Sequence, residues 1–418
     1  MTLMDLITLD QVEQVWPELL TIDADSIYRA FEQVKDGRKK KGKRYPLAFI
    51  LTLIMLGKLA GETTFEGIID WINLRKKDLR MLLNWPKAFP SNNTYTNALS
   101  QCDGEEVVKV IAHIILKVRA LDQCAGKYSR WLEKNAQSGE NLIHTAMDGK
   151  AMKGTLKHAN EDQPPVWLVA LYECQSGIVL AQKTYKNQGY ETSAGLAILH
   201  PALVKGRIIT TDSLHSYRKW CATVHIFGGY YLAIINDRNP AVLRNLEMFF
   251  QDEGIDRSEW QYYKKVQNGH GRLEVREIWV STQMSEFFAK EWAGSSQVFM
   301  IKRTIKDGDE ERIEVVYGIT NLTRIQADAE YLLKLNQEHW YIENRLHYRR
   351  DVTLSEDASQ IRVRGAPEVI AALNGGLLAL MDYLGVTNVA KQMRYYCANP
   401  QEIVKLLFGS LQVAKQVH

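Results

Sequence analysis

Residues 142–149 read Leu142-Ile143-His144-Thr145-Ala146-Met147-Asp148-Gly149, and residues 207–212 read Arg207-Ile208-Ile209-Thr210-Thr211-Asp212. Each is a short apolar run with an aspartate at its C-terminal end, the pattern of a buried strand that delivers a carboxylate to a sheet edge. Between them, Val166–Glu173 and Ile178–Tyr185 read as two further strands, and Gln175-Ser176-Gly177 predicts the turn of a hairpin. A helix is expected over Ser193–Leu203 and another near Tyr217–Val224, followed by a strand over Tyr230–Ile235. The order strand, hairpin, helix, strand, helix, strand is that of an α/β domain built on a mixed sheet.

Outward from this centre the pattern changes twice. The first 125 residues read as helical. Leu47–Leu59 is an apolar helix entered through Pro46, Thr63–Asn73 carries Phe65, Ile68, Ile69 and Ile72 at helical spacing, Lys76–Leu83 is a short helix, and Ser91-Asn92-Asn93-Thr94 opens another. Residues 239–325 are expected to be a β-rich insertion, with strands at Lys264–Gln267, Arg272–Val280, Val298–Lys302 and Ile313–Thr320. A long helix is predicted from Ala327 past Glu343 to about Arg350, and Gly365-Ala366-Pro367 opens a last helical pair. The domain reading is thus 1–125 helical, 140–238 the first part of the sheet domain, 239–325 the insertion, and 326–418 the rest of the sheet domain.

The chain has 418 residues, of which 46% are hydrophobic and 24% charged. That composition supports a sizeable core and excludes a disordered, collagen-like or rod-like chain. The net charge is only +3, but Lys35 to Arg44 carries +6 in ten residues, leaving −3 for the other 408. Positive charge so concentrated in one arm favours a polyanionic partner. The five cysteines are widely spaced with no CxxC pair, which argues against a zinc ribbon or disulfide framework and for a reducing cytoplasm. The start, MTLMDLITLD, lacks the features of a signal peptide, and the most apolar run, Leu47 to Leu59, is too short for a membrane span of ~20 residues. A soluble intracellular protein is expected.

Asp148 and Asp212 at two strand ends, and Glu343 within an amphipathic helix among Trp340, Ile342 and Leu346, occupy positions where an unpaired carboxylate is costly. Three converging carboxylates are instead suited to hard divalent cations. Two such ions ~4 Å apart can clamp the attacking and leaving oxygens of an in-line phosphoryl displacement. Read one at a time, each acid is more readily a cap or a surface ion-pair partner, and it is their arrangement on two strand ends and a late helix that favours the joint site.

At these residues the chain resembles the DDE transposases of bacterial insertion sequences, most closely the H-repeat-associated, IS-As-type family. The resemblance is carried by Ala146-Met147-Asp148-Gly149-Lys150-Ala151-Met152-Lys153-Gly154, by Thr210-Thr211-Asp212-Ser213-Leu214-His215, and by EHWYIENRLHYRRDVTLSED from Glu338 to Asp357. GHGRLEVRE from Gly269 to Glu277, the basic arm DGRKKKGKRYPLA from Asp36 to Ala48, and PSNNTYTNAL extend it over nearly the whole chain. It implies an RNase H-like catalytic core with a β-strand insertion, and Asp148, Asp212 and Glu343 as ligands of two Mg²⁺ ions that Mn²⁺ could replace. It further implies binding to terminal inverted repeats, cleavage of phosphodiester bonds, transfer of 3′-hydroxyl ends into target DNA, and a homodimer or larger assembly on DNA, in the cytoplasm of a bacterium and on its nucleoid. DNA contacts are expected from Arg38, Lys39, Lys40, Lys41, Lys43 and Arg44 in the arm, from Lys150 and Lys153 after the first aspartate, and from Arg238 and Arg272. Two departures stand out. The wider pattern Tyr-x2-Arg-x3-Glu-x6-Lys is Asn336, His339, Glu343 and Arg350 here, and Asn236-Asp237-Arg238-Asn239-Pro240 replaces a lysine-bearing turn.

The alternative from another class is a catalytically silent or domesticated, transposase-derived DNA-binding protein, which the three intact acids argue against. His339, Glu343 and His347 recur at four-residue spacing and raise a zinc site, but the third drifts ~80° from the first on an α-helix. His144 and His215 flank the aspartates and could orient a phosphate or be tucked into the core. Trp260, Trp279 and Trp292 could stack on an unpaired base, though core packing suits at least two of them. Gly149 and Gly154 do not form a GxxxxGK[ST] phosphate loop, which excludes an NTPase of that type.

Overall fold

The computed structural model describes residues 25–40, 43–124, 142–156, 165–186, 188–269 and 272–411. The chain divides into two compact units, each discontinuous in sequence. One comprises Met1–Ser129, Gly149–Ala194 and Ile342–His418, and the other Arg130–Asp148 and Gly195–Tyr341.

In the second unit, β1 (Ile143–Ala151, shared with the first unit from Gly149 onward), β4 (Arg207–Thr211) and β5 (Tyr230–Ile235) are parallel. The sheet continues antiparallel through β9 (Glu310–Thr320), β8 (Gln297–Asp307), β7 (Arg272–Ser281) and β6 (Gln261–Gly269), in the order β1-β4-β5-β9-β8-β7-β6. The insertion strands therefore extend the same sheet. They run longer than the sequence predicts, because cross-strand pairing continues past the point where apolar alternation gives way to charge. A helix at Pro240–Gln251 precedes them, with Pro240 in its first turn and Val242, Leu246, Phe249 and Phe250 buried. The core lies under helix Ala329–His339, whose Leu332, Leu333 and Leu335 pack on Ile278, Val280, Phe299 and Ile301. Asp328 caps that helix, its side chain accepting from the Tyr331 amide at 2.8 Å.

In the first unit, β2 (Trp167–Glu173) and β3 (Ile178–Tyr185) form the expected hairpin beside β1, in the order β3-β2-β1. Gly177 turns it with φ +74°, a left-handed conformation that costs glycine little. Helix Leu47–Leu59 is buried on every side, as its unbroken apolar sequence requires. It packs with Ala366–Tyr383, which in turn packs on Gly104–Cys124, in the helical body of this unit. Helices Phe65–Leu74, Lys76–Leu82 and Asn92–Ser100 lie where the sequence places them, and Thr64 caps the first through the Gly67 amide.

The helix expected over Ser193–Leu203 is two, Glu191–Ala197 and Pro201–Val204, because Pro201 cannot donate to the preceding turn and His200 caps the second piece. Gly154 sits in the short helix Lys153–Leu156 so close to residues 357–359 that a Cβ there would lie 2.1 Å from the Ser359 carbonyl oxygen. Gly154→Ala is expected to lower stability by ~1–3 kcal/mol, the range for overpacking, in urea denaturation. An unchanged midpoint would show that the 357–359 backbone yields. Among the described residues no helix is long and apolar enough to cross a membrane, and Cys102, Cys174, Cys221 and Cys397 are free thiols.

Candidate active site

The aspartates take their positions from strand register. β1 and β4 pair as Thr145 with Ile209, Ala146 with Thr210 and Met147 with Thr211, so Asp148 and Asp212 each lie one residue beyond the last pair of neighbouring parallel strands. Ligands of open α/β sheets gather at such carboxyl ends. The strand does not stop at Asp148, as its sequence predicts, but runs on through Gly149 to Ala151. Asp212 leaves β4 at once, and its Oδ1 accepts from the Leu214 amide at 3.0 Å and the His215 amide at 3.3 Å, which fixes the turn around it.

Behind them runs a polar line. The Thr210 hydroxyl bridges His144 Nε2 at 2.8 Å and His339 Nδ1 at 3.1 Å, while Glu338 Oε2 lies 3.4 Å from His144 Nδ1. It ties the end of helix Ala329–His339 to β1 and β4 within this unit. His144 is fully buried, which lowers its pKa, and it sits in the core with no surface to offer a phosphate. His215 is buried as well. Of the three tryptophans, Trp292 is fully buried and Trp260 packs on Phe249 and Phe250, leaving Trp279 partly exposed beside Tyr262.

The predicted continuous helix from Ala327 to Arg350 is not observed. The α-helix ends at His339, and residues Ile342–His347 and Arg349–Thr353 wind as wider π-helices. Each π turn closes an i→i+5 bond, takes up an extra residue and rotates the downstream residues about the helix axis, a device concentrated at functional sites. The α-helical phase that would set Glu343 on the apolar face with Leu335 is lost. The side chain of Glu343 is 53% exposed, whereas Ile342, Leu346 and His347 are buried. Glu343 Oε2 lies 2.9 Å from His347 Nδ1, and that hydrogen bond holds the Glu343 carboxyl below its ordinary pKa. Burial lowers the pKa of His347. His347 is the residue that sequence reasoning underrated; its four-residue spacing from Glu343 was the available signal.

Beyond the π segment lies a buried ionic cluster in the same unit. Lys150, 8% exposed, pairs with Asp351, with Glu356 Oε1 at 3.1 Å and with Asp357 Oδ1 at 3.6 Å. Fully enclosed Glu356 also receives Arg350 Nε at 2.8 Å and Asn374 Nδ2 at 2.7 Å. Burial by itself would raise the Glu356 pKa, but the charges of Arg350 and Lys150 overcome it and bring it down to about 2. Burial presses the Lys58 ammonium, on the apolar helix, down to about 8. Burial raises the pKa of Asp351, which is held by Lys150, while Arg349 forks onto Asp382 with two contacts of 2.7 Å. Glu356 is the centre of this cluster.

The basic residues divide accordingly. Lys150 is enclosed by carboxylates rather than facing solvent, contrary to its expected DNA contact. Arg38, expected in the DNA-binding arm, is also buried, donating to Asp36 at 2.8–2.9 Å and to the Tyr45 carbonyl at 2.7 Å. Lys39, Lys40, Lys43 and Arg44 are exposed, with Lys43 donating to the Asp36 carbonyl; Lys41 lies outside the described residues. Lys153 is 65% exposed and pairs with Asp357 at 2.8 Å, and Arg238 and Arg272 are exposed.

In the first unit Glu343 and His347 offer a carboxylate and an imidazole side by side; in the second, Asp148 and Asp212 offer carboxylates at the ends of β1 and β4. Carboxylates and an imidazole suit a divalent ion of the Mg²⁺ or Mn²⁺ kind, the nitrogen favouring Mn²⁺.

Residues 28–114, in the helical N-terminal part, match the family model described as DDE_Tnp_1-associated. Over 388 residues the chain is 22% identical to the "H repeat-associated putative transposase YhhI" of Escherichia coli (strain K12), spanning 90% of this chain and 96% of that protein. It is also 22% identical over 353 residues to the "Putative transposase YncI" of Escherichia coli O157:H7, spanning 83% and 85%. Among solved structures, a piggyBac transposase synaptic complex with hairpin DNA aligns with 99% of this chain and 83% of that one, at 9% identity and a TM-score of 0.40.

Proposed function

We propose that this chain, similar to the H repeat-associated transposases, binds the terminal inverted repeats of an insertion sequence, cleaves phosphodiester bonds there and transfers the freed 3′-hydroxyl ends into target DNA. The observation that carries this reading is the pair of aspartates at the carboxyl ends of neighbouring parallel strands, in a chain related to transposases over nine-tenths of its length. The orders β3-β2-β1 and β1-β4-β5, with β1, β4 and β5 parallel and a β2–β3 hairpin, support an RNase H-like core. The functional division we adopt is residues 1–125 for end recognition, 140–238 and 326–418 for the catalytic core, and 239–325 for the insertion.

In this reading Asp148, Asp212 and Glu343, with His347 beside Glu343, hold two divalent ions. Bound there, such ions supply Lewis acidity at the scissile phosphate and an activated oxygen nucleophile. The residues' own work is placement. Strand register sets the two aspartates, the Asp212 turn is locked by two backbone amides, and the hydrogen bond to His347 orients Glu343. Two element ends must be joined, so a homodimer or larger assembly on DNA is part of the proposal, as is residence in the bacterial cytoplasm on the nucleoid. The test is a gel assay on labelled end DNA with and without Mg²⁺. Cleavage that requires Mg²⁺ is expected, and binding without any cleavage would favour the silent DNA-binding alternative.

For end binding, the exposed lysines of the arm are the electrostatic handle. Changing Lys39, Lys40, Lys41 and Lys43 to Ala is expected to weaken binding to all sequences alike. The slope of log affinity against log salt should flatten by ~0.9 for each phosphate that is no longer neutralised. A slope equal to that of the unaltered protein would show the arm to be merely solvated.

A further inference from the structure

The enclosed Lys150 has no part in the reading above, and its surroundings suggest one. It lies two residues after Asp148 on β1, hence on the same side of that strand. Its ammonium is nevertheless engaged by three carboxylates that come after the π segment, those of Asp351, Glu356 and Asp357. Glu356 is gripped in turn by Arg350, inside the second π stretch, and by Asn374 of helix Ala366–Tyr383. All these residues, with Glu343, belong to one compact unit. A π-helix is a marginal winding that persists where its surroundings impose it. Here the segment carrying Glu343 is pinned just past its C-terminal end to the strand that carries Asp148. The ammonium is itself enclosed and one of its three carboxylates, that of Glu356, is fully buried, so it cannot leave without stranding charge in the interior, and the pin is stiff.

We propose that Lys150 is a positioning residue: locked on Asp351 and Glu356, it sets the winding and register of the π segment and so the placement of Glu343 for metal binding. This rests on the reading of Glu343 as a metal ligand. It also replaces the role that the sequence suggests for Lys150, a direct contact to the DNA backbone.

The two roles separate by experiment on the full chain. Mn²⁺ binding is followed by electron paramagnetic resonance, DNA binding by salt titration, and folding by thermal denaturation. Lys150→Met is expected to weaken Mn²⁺ binding at least tenfold and leave the salt slope of DNA binding unchanged, with Lys150→Arg restoring most of the Mn²⁺ affinity. Should Lys150→Met fail to fold, Asp351→Asn removes one anchor and leaves Glu356 paired, and a several-fold loss of Mn²⁺ affinity is expected from it. Unchanged Mn²⁺ affinity in Lys150→Met, or in Asp351→Asn where that variant stands in, overturns the proposal. So does a salt slope flattened by one phosphate with Mn²⁺ affinity intact, which would make Lys150 a phosphate ligand. Glu343→Gln is the control for the underlying reading. If it too leaves Mn²⁺ affinity unchanged, the metal assignment fails and the positioning role falls with it. If it weakens Mn²⁺ binding while Lys150→Met does not, the positioning role alone is wrong.

Discussion

Mg²⁺-dependent cleavage of end DNA is expected to disappear in Glu343→Gln, Asp148→Asn and Asp212→Asn, while binding to the same DNA stays close to that of the unaltered protein. Each change keeps the side-chain size and hydrogen-bonding shape and removes the negative charge. Loss of even the outer partners of a metal ligand costs ~10–100-fold, so loss of a ligand should exceed ~100-fold. Glu338→Gln and Asp351→Asn serve as comparisons in the same segment. Glu338 faces His144, and Asp351 faces Lys150, so both should lose much less cleavage than Glu343→Gln. Normal cutting by Glu343→Gln together with a dead Asp351→Asn or Glu356→Gln would require the third acid to be reassigned.

The largest effect on stability is expected at Glu356. Its replacement by Ala strands Arg350 in the interior and takes one of three carboxylates from Lys150, and breaking a buried pair from one side costs ~3–5 kcal/mol. The contribution has a pH signature. The folded pKa of about 2 lies below the ordinary value of 4.5, so the stabilisation is fully present above about pH 4.5 and is lost as pH falls toward 2. Urea denaturation of the unaltered protein and Glu356→Gln at pH 7 and at pH 3 measures this. The gap between them should narrow at the lower pH, and a gap that stays constant would mean that the charge of Glu356 is not what stabilises the fold.

Much of the architecture could be read without the structure. The strands Ile178–Tyr185, Arg207–Thr211 and Tyr230–Ile235 were predicted with the bounds observed, because a short apolar run between turn residues encodes a buried strand locally. The same logic placed helix Leu47–Leu59 and put an aspartate at the end of each paired strand run. Helix Pro240–Gln251 was equally legible, since Val242, Leu246, Phe249 and Phe250 recur at helical spacing; it was passed over because the segment was read as β-rich throughout.

What sequence alone determined was therefore the burial pattern: which runs turn an apolar face inward and where acids interrupt them. What only the tertiary structure decided was the fate of the charges. Arg38 looks like one more cation in a basic arm, yet it is buried on Asp36 and the Tyr45 carbonyl. Lys150 looks like a DNA contact, yet its partners lie about two hundred residues away. Glu343 looks α-helical, yet the wider winding exposes it and buries His347. Hydrophobic periodicity is a property of neighbours along the chain, so it survives in a one-dimensional reading. The burial of a charge depends on how the chain packs around it, and for Lys150 the partners come from a distant segment that no local pattern records.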